Sequence, residues 1–393
     1  MTAPQPIDVA RARAETPGCA ETIHFNNAGA ALPNATTLQT QLDHLELEAL
    51  IGGYEAYDAR TDRAEAVYTS IATMLNAQRS EIALTTSNSS ALHSFLYSIA
   101  FDPGDRILTT QSEYGANYVA YLHIAATTGA VVEVVPNDAV GELDVDALAT
   151  MVDERTRLIT VNHVPTNGGL VNDAAAIGRV AREHGVLYLL DACQSAGQLP
   201  LDVEAIGCDA LTATGRKYLR GPRGTGFLYV RQSVLEMLHP PMIDHDAATW
   251  VDAHTYVLQP DASRFESWER NWAALLGLGA AVDDALAWGI ANIEVRVKEV
   301  ANALRNRLCD EVTGAEVHDL GTDPCGIVTF SLTDRDIVEV AQSLAADRIN
   351  VSVQPMGSAL LDTQARDLPP LIRASVHYYN THDEIDALIS DLS

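Results

Sequence analysis

Thr212-Ala213-Thr214-Gly215-Arg216-Lys217-Tyr218 follows the run Asp209 to Leu211 and leads into a glycine-rich turn, Gly221-Pro222-Arg223-Gly224-Thr225-Gly226. Of the 25 Lys plus Arg in the chain, only Lys217 and Lys298 are lysines. A sequence that writes Arg at almost every basic position keeps an amine between a β-like run and a tight turn. An amine can lose its proton and form a Schiff base with an aldehyde, which a guanidinium cannot. Lys298 lies on the polar side of a helical pattern made by Ile293, Val297, Val300, Leu304 and Leu308, and reads as an ordinary surface residue. Lys217 has no such pattern around it. Its setting leaves two readings, a surface lysine or a reactive one.

Outward from this stretch the chain alternates between two rhythms. Apolar runs at 82–84, 106–109, 131–135, 158–161, 186–190, 210–213 and 226–230 read as strands, and helical periods at 91–100, 117–127, 145–152 and 174–184 separate most of them. Strands alternating with helices predict an α/β fold with a mainly parallel seven-stranded sheet between helices. Before the first run, 23–30 reads as a strand entering a small-residue loop, and 42–75 as two helical patterns broken at Gly52-Gly53. Residues 232–263 show weak patterning around Pro240-Pro241 and predict an irregular excursion. A helical stretch over 272–312 then leads to strand, helix, strand, strand and helix at 326–332, 337–346, 350–353, 371–376 and 384–392. This gives a large α/β domain over 22–283 and a smaller α+β domain from 1–21 plus 284–393.

Composition narrows the function classes. Fifty-three acids against 25 bases give a formal net charge of -28. Such a surface repels phosphate backbones and anionic lipid, so neither nucleic acid nor membrane is expected as a partner. Apolar stretches are short and interrupted, and residues 1–15 lack the apolar core of a signal peptide. Cys19, Cys193, Cys208, Cys309 and Cys325 show no metal or redox spacing, which fits reduced thiols and a cytoplasmic location.

The run 186–190 ends in Asp191, at the edge where open parallel sheets place their ligands. The carboxylate either caps the following segment or faces a ligand. An acid and an amine on neighbouring strand ends suit pyridoxal 5'-phosphate, which needs a Lys for its aldehyde and an Asp for its ring nitrogen. Thr85-Thr86-Ser87-Asn88-Ser89-Ser90 follows a strand and opens a helix, so it reads as a plain N-cap cluster or as a phosphate cradle. Together with Asp191 and Lys217 in this order, the cradle is the better reading.

These residues resemble the class V aminotransferase family, fold type I pyridoxal phosphate enzymes that include cysteine desulfurases, isopenicillin N epimerases and carbon–sulfur lyases. The resemblance runs from about Phe25 to the C-terminus. It implies that Lys217 bears the cofactor, that Thr214 and Arg216 touch phosphate, and that Asn88 and Ser89 cup it. In Asp191-Ala192-Cys193-Gln194 it assigns Asp191 to the ring nitrogen and Gln194 to the phenolic oxygen. Tyr114 in Ser112-Glu113-Tyr114-Gly115-Ala116-Asn117 takes the ring-stacking place where desulfurases usually have His, and Thr166 also falls to the cofactor. Arg373, in Arg373-Ala374-Ser375-Val376-His377, is implied as the clamp for the substrate α-carboxylate, with Asn27 also on the substrate side. A homodimer with its site at the subunit interface follows from the same likeness.

Departures from the family pattern are informative. The loop Val353-Gln354-Pro355-Met356-Gly357-Ser358-Ala359 lacks the desulfurases' sulfur-accepting cysteine, and Cys193 reads as a packing residue. Glu269 stands where the family often has Thr, and is assigned to an amino or cationic group of the substrate. With Tyr114 and the Gly52-Gly53-Tyr54-Glu55 opening, these features resemble the carbon–sulfur lyases of thiol metabolism. The implied reaction is β-elimination from a cysteine S-conjugate or its sulfoxide, giving thiol or sulfenate, pyruvate and ammonia. Epimerisation, transamination and decarboxylation stay open, as does a non-catalytic binding protein.

Overall fold

The computed structural model describes residues 4–393, so residues 1–3 of the segment 1–21 assigned to the smaller domain lie outside the described residues. After β1 (Ile23–His24), each of the seven apolar runs forms a strand: β2 (Ile82–Thr85), β3 (Arg106–Thr110), β4 (Val131–Val135), β5 (Thr156–Asn162), β6 (Leu187–Asp191), β7 (Ala210–Thr214) and β8 (Gly226–Val230). They make one sheet in the order β2-β8-β7-β6-β5-β3-β4. Strands β7, β6, β5, β3 and β4 pair in parallel, and β8 is antiparallel to both its neighbours.

Successive residues of these strands enter opposite cores. Leu158, Leu189, Ala210 and Leu228 pack with Leu92, Phe95 and Tyr121, whereas Ile159, Leu190, Leu211 and Phe227 pack with Ile177, Leu278 and Val282. Burial on both faces explains why the strands read as continuous apolar runs without alternation. Each such side chain contributes about 1.5–3 kcal/mol on leaving water. Because β8 alone is reversed, the C-terminal ends of β2, β3, β5, β6 and β7 meet the start of β8 along one edge. That edge holds the cleft described below.

The stretch 232–263 is not wholly irregular. It contains an antiparallel hairpin, β9 (Ala248–Asp252) with β10 (Thr255–Leu258), whose Trp250, Val251, Tyr256 and Val257 are all exposed. With neither face buried, the hairpin has no hydrophobic alternation to announce it. The helical stretch after it is two helices, Trp272–Trp288 and Ile290–Glu311, bent by 80° at Gly289, whose φ of +82° ends the first. No single helix among the described residues is long and apolar enough to cross a membrane.

A second sheet completes the fold, with β11 (Ala315–Val317), β12 (Ile327–Leu332), β14 (Ser352–Gln354) and β15 (Leu371–Ser375) in the antiparallel order β11-β12-β15-β14. The short β13 (Ile349–Asn350) instead pairs in parallel with β1, and Asn26 bridges Ser375. Residues 23–26 therefore make their strand contacts with the second unit. This packing brings β15, and Arg373 on it, toward the edge of the main sheet.

Candidate active site

The Lys217 turn is held by its own backbone. Gly221 N donates to Gly215 O at 2.7 Å and Arg220 N to Lys217 O at 2.8 Å. A Cβ on Gly215 would lie 2.3 Å from Thr225 Oγ1, so only glycine permits this close return. The fold of the turn sends Lys217 into a cleft of about 710 Å³, counting space open to solvent. Burial pushes the lysine amine below its usual range; Cys193 and Asp191 oppose this, while Arg216 and Arg373 add to it. The result favours the neutral, nucleophilic amine. Lys298, in contrast, pairs with Glu294 at 2.7 Å and Asp323 at 2.5 Å on the surface of its helix.

Asp191 ends β6 and is buried. Its Oδ1 accepts from Cys193 N at 2.8 Å and its Oδ2 from Asn117 Nδ2 at 2.6 Å. The next helix starts only at Val203, so Asp191 caps none. Desolvation raises its carboxyl pKa, and the hydrogen bonds from Asn117 and Cys193 together with the Lys217 charge work against that rise. Such a carboxylate gains from a cation placed beside it.

At the other end of the cleft, the helix Asn88–Leu96 starts at Ser87, whose side chain accepts from Ser90 N at 3.0 Å. Thr86, Ser87 and Ser89 face the cleft together with Arg223 and Gly224 from the β7–β8 turn. Hydroxyls, free helix-start N–H groups and a guanidinium suit a phosphate. Thr214 and Arg216 line the same cleft; Thr214 Oγ1 donates to Thr225 O at 3.2 Å, and the Arg216 guanidinium donates to Gly29 O.

The cleft has unmet hydrogen-bonding capacity. Asn88 Oδ1 and Gln194 Oε1, both in its lining, are buried without a partner, as is Nε of Arg373, which is hydrogen-bonded to the lining residue Thr166. Each unmade bond costs about 1–3 kcal/mol unless a ligand makes it. An amine at one end, a carboxylate at the floor, a hydroxyl-lined helix start and these orphaned groups fit pyridoxal 5'-phosphate. Arg373 Nη1 donates to Thr166 Oγ1 at 2.8 Å and to Thr166 O at 3.2 Å, leaving part of its fork free. Burial pushes its guanidinium down to about 10. Tyr114 stands at the mouth, 39% exposed.

Several assignments change. Asn27 is buried with its side chain committed to the protein: Nδ2 donates to Ser375 O at 2.7 Å and His24 O at 3.1 Å, and Oδ1 accepts from Tyr379. It ties β1 to β15 and does not line the cleft. Thr166 lines it, and its hydroxyl oxygen accepts from Arg373 Nη1, so it also steadies that guanidinium. Glu269 is exposed and lines an adjoining cleft that shares Thr86, Ser87, Ser89 and Gly224 with the first. Cys193 is half-buried and lines the Lys217 cleft, with its thiol pKa raised by burial. Asn117 and Glu113 belong to the site's support and had no role in the sequence reading. The signal was their place in the same short segment as Tyr114.

The sequence pattern of the family described as Aminotransferase class-V matches residues 23–388. A probable cysteine desulfurase of Methanothermobacter thermautotrophicus is 32% identical over 340 residues, 86% of this chain and 84% of the relative. A cysteine desulfurase of Escherichia coli O127:H6 is 31% identical over 303 residues, 74% of this chain and 70% of the relative. Among solved structures, the E. coli cysteine desulfurase CsdA superposes with a TM-score of 0.91 at 23% identity, over 99% of this chain and 98% of the other. The cystine C–S lyase C-DES, solved with its product cysteine persulfide, superposes with a TM-score of 0.87 at 24% identity, over 96% of this chain and 98% of the other. Both structures share the fold.

Proposed function

Because the chain belongs to the class-V aminotransferase family and is a pyridoxal-phosphate-dependent carbon–sulfur lyase within it, we propose that it cleaves the Cβ–S bond of a cysteine S-conjugate or its sulfoxide. The observation that supports this best is the loop over 353–359. It has no cysteine, yet it lies against the cleft mouth, where a Cβ on Gly115 would come 2.2 Å from Gly357 O. A side chain on this loop that accepts sulfur from the substrate is therefore missing, and the sulfur leaves with its own substituent.

When bound, pyridoxal phosphate supplies an electron sink for the carbanion at the substrate Cα. Arg373, steadied by Thr166, holds the α-carboxylate through its fork. Lys217 takes the Cα proton at Nζ, a role suited to an amine whose pKa burial lowers. The C–S bond breaks with its electron pair on sulfur, which leaves as thiol after protonation, or as sulfenate from a sulfoxide. The 2-aminoacrylate that remains hydrolyses to pyruvate and ammonia. Glu269, exposed in the adjoining cleft, favours an amino or cationic group on the substrate.

The experiment is incubation of the holoenzyme with S-substituted cysteines and their sulfoxides, with pyruvate and thiol measured together. Equal pyruvate and thiol is the expected result for the S-substituted cysteines, and equal pyruvate and sulfenate for the sulfoxides. Exchange of the Cα proton without pyruvate favours an epimerase and overturns the proposal. A second reading, desulfuration of free cysteine, is favoured by the place of Cys193 in the Lys217 cleft; it gives alanine in place of pyruvate.

The working unit in this proposal is a homodimer. Leu38, Leu42 and Leu45 form an exposed stripe at helical spacing, and Met242 and Trp268 are exposed at 80% and 48%. Sedimentation of the wild type against Leu42→Arg tests it, with dimer expected for the first and monomer for the second. All of Cys19, Cys193, Cys208, Cys309 and Cys325 are free, which suits a reducing compartment such as the cytoplasm.

A further inference from the structure

Behind Asp191 lies a second buried carboxyl group. Glu113 follows β3, and it is 2% exposed against 4% for Asp191. One amide joins the two: Asn117 Nδ2 donates to Asp191 Oδ2 at 2.6 Å and to Glu113 Oε1 at 3.1 Å. Charging two buried carboxylates that share one donor group is costly, because their repulsion is little screened there.

The hydrogen bonds around Glu113 sort its two oxygens. Oε1 accepts from two N–H groups, Asn117 Nδ2 and Tyr114 N, the latter at 2.7 Å. Oε2 faces only hydroxyls, Thr109 Oγ1 at 2.9 Å and Tyr121 OH at 3.4 Å. Tyr121 OH also lies 2.9 Å from Thr160 Oγ1, its nearer partner. A carboxylic acid fits this arrangement: Oε1 is fed by two donors, and the Thr109 hydroxyl, which donates to Oε2 when that oxygen is anionic, can accept from it when it carries the proton. Asp191 instead receives N–H groups on both oxygens, as an anion does. The titratable groups facing Glu113 are Asp191 and Tyr121, and burial with the Asp191 charge pushes its carboxyl up to about 8.

We propose that Glu113 works as a neutral carboxylic acid, a positioning residue that orients the Asn117 amide and leaves the negative charge of the pair on Asp191, where the ring nitrogen of pyridoxal phosphate binds. The proposal rests on the reading that Asp191 faces that nitrogen. Asn117 has two amide hydrogens, and Glu113 fixes which way they point. Without it the amide can turn its oxygen toward Asp191, which repels the carboxylate and weakens its hold on a cation.

Glu113→Gln and Glu113→Leu separate charge from hydrogen bonding. Glutamine reproduces the neutral acid, with Oε1 for the two N–H groups and Nε2–H for Thr109. Leucine removes the support. Apo proteins are titrated with pyridoxal phosphate, and the pH midpoint of the bound cofactor's visible absorbance is then measured. Glu113→Gln is expected within about threefold of wild-type affinity, and Glu113→Leu roughly 10- to 100-fold weaker with a displaced midpoint. Asn117→Ser is expected to reproduce the leucine effect, and adding Glu113→Leu to it is expected to change nothing further.

Equal losses in the glutamine and leucine variants would show that an anion is needed and overturn the proposal. Wild-type affinity in a folded Glu113→Leu protein, or effects of Glu113→Leu and Asn117→Ser that add, would overturn it as well. If Glu113→Leu does not fold, the comparison of Glu113→Gln alone and in the Asn117→Ser background decides on the same terms. Asp191→Asn is the control for the underlying reading: affinity unchanged in that variant removes the ring-nitrogen contact itself, whatever Glu113 does.

Discussion

Replacing Arg373 by lysine keeps the positive charge and removes the fork. The guanidinium is buried on β15, with Nη1 held by Thr166 Oγ1 at 2.8 Å and Nε without a protein partner. A carboxylate entering there meets a cation in a poorly screened site and can take two parallel N–H bonds. Lysine offers one point of contact at the same charge. The difference is one charge-assisted hydrogen bond, about 1.5–3 kcal/mol, or roughly a 10- to 150-fold loss of kcat/KM. The contact exists before and during the chemical step, so the loss belongs mostly in KM. Thr166→Val leaves the fork but frees it to move, and its neutral hydrogen bond is worth about 0.5–1.5 kcal/mol, roughly a 2- to 10-fold loss. The assay is steady-state release of thiol from an S-conjugate of cysteine, run beside the matching conjugate of cysteamine, which has no carboxylate. Both substitutions should weaken turnover of the first substrate and leave the slow turnover of the second unchanged. An Arg373→Lys enzyme within threefold of wild type on the cysteine conjugate, or equal losses on both substrates, would refute the clamp.

Three further outcomes follow from single positions. Lys217→Ala should lose the cofactor mass that borohydride otherwise fixes to the protein, as seen by mass spectrometry; retained mass would move the covalent link elsewhere. Gly115→Ala places a methyl 2.2 Å from Gly357 O, so the loop over 353–359 must shift, costing about 1–3 kcal/mol in thermal unfolding and lowering activity. An unchanged melting temperature would mean that the loop does not rest on Gly115. His377 is buried, with Nε2 donating to Tyr218 O at 3.0 Å and Nδ1 accepting from Tyr378 N at 2.9 Å, and burial holds its pKa well below the usual range. The unfolded chain takes up a proton below about pH 6.5 where the native state does not, so the stability that this neutral imidazole gives is present above that pH and lost as pH falls. His377→Gln should therefore flatten the decline of the unfolding free energy from pH 7 to 5, by up to about 1.4 kcal/mol per pH unit as read from denaturant titrations, and an unchanged slope would count against it.

The seven main strands were legible because each is buried on both faces and so reads as an uninterrupted apolar run between turn residues. Lys217 and Asp191 were legible for a related reason: a polar residue at the end of such a run stands out against it, and the fold gathers those ends at one edge. The hairpin β9–β10 escaped because its side chains are mostly exposed; β1 was legible as the start of 23–30, but its pairing with the distant β13 was not, since two residues leave no period to name a partner. Asn27 was placed on the substrate side by likeness alone, and the contacts across 348 and 352 residues of chain that consume it are invisible to any local pattern. Thr166 shows the same limit more finely, since it lies in the cleft as read but its hydroxyl oxygen also accepts from Arg373, a contact that no local pattern announces.

Cys193 and Glu113 mark where residue type misleads. A cysteine beside a buried strand end is ordinarily a small apolar filler, but the chain turns after Asp191 and leaves the thiol facing the lysine. A glutamate in the turn after a strand is ordinarily solvated, yet here the turn from β3 into the helix Gly115–Thr128 folds it inward against Thr109, Asn117 and Tyr121. In both cases the deciding fact is the direction of a side chain at a strand end, where a single turn dihedral chooses between solvent and cleft. Sequence period fixes direction within a strand or helix and not in the turn after it. The chemistry of this fold is placed in those turns, and that is why its cofactor could be read from residue order while the support behind Asp191 required coordinates.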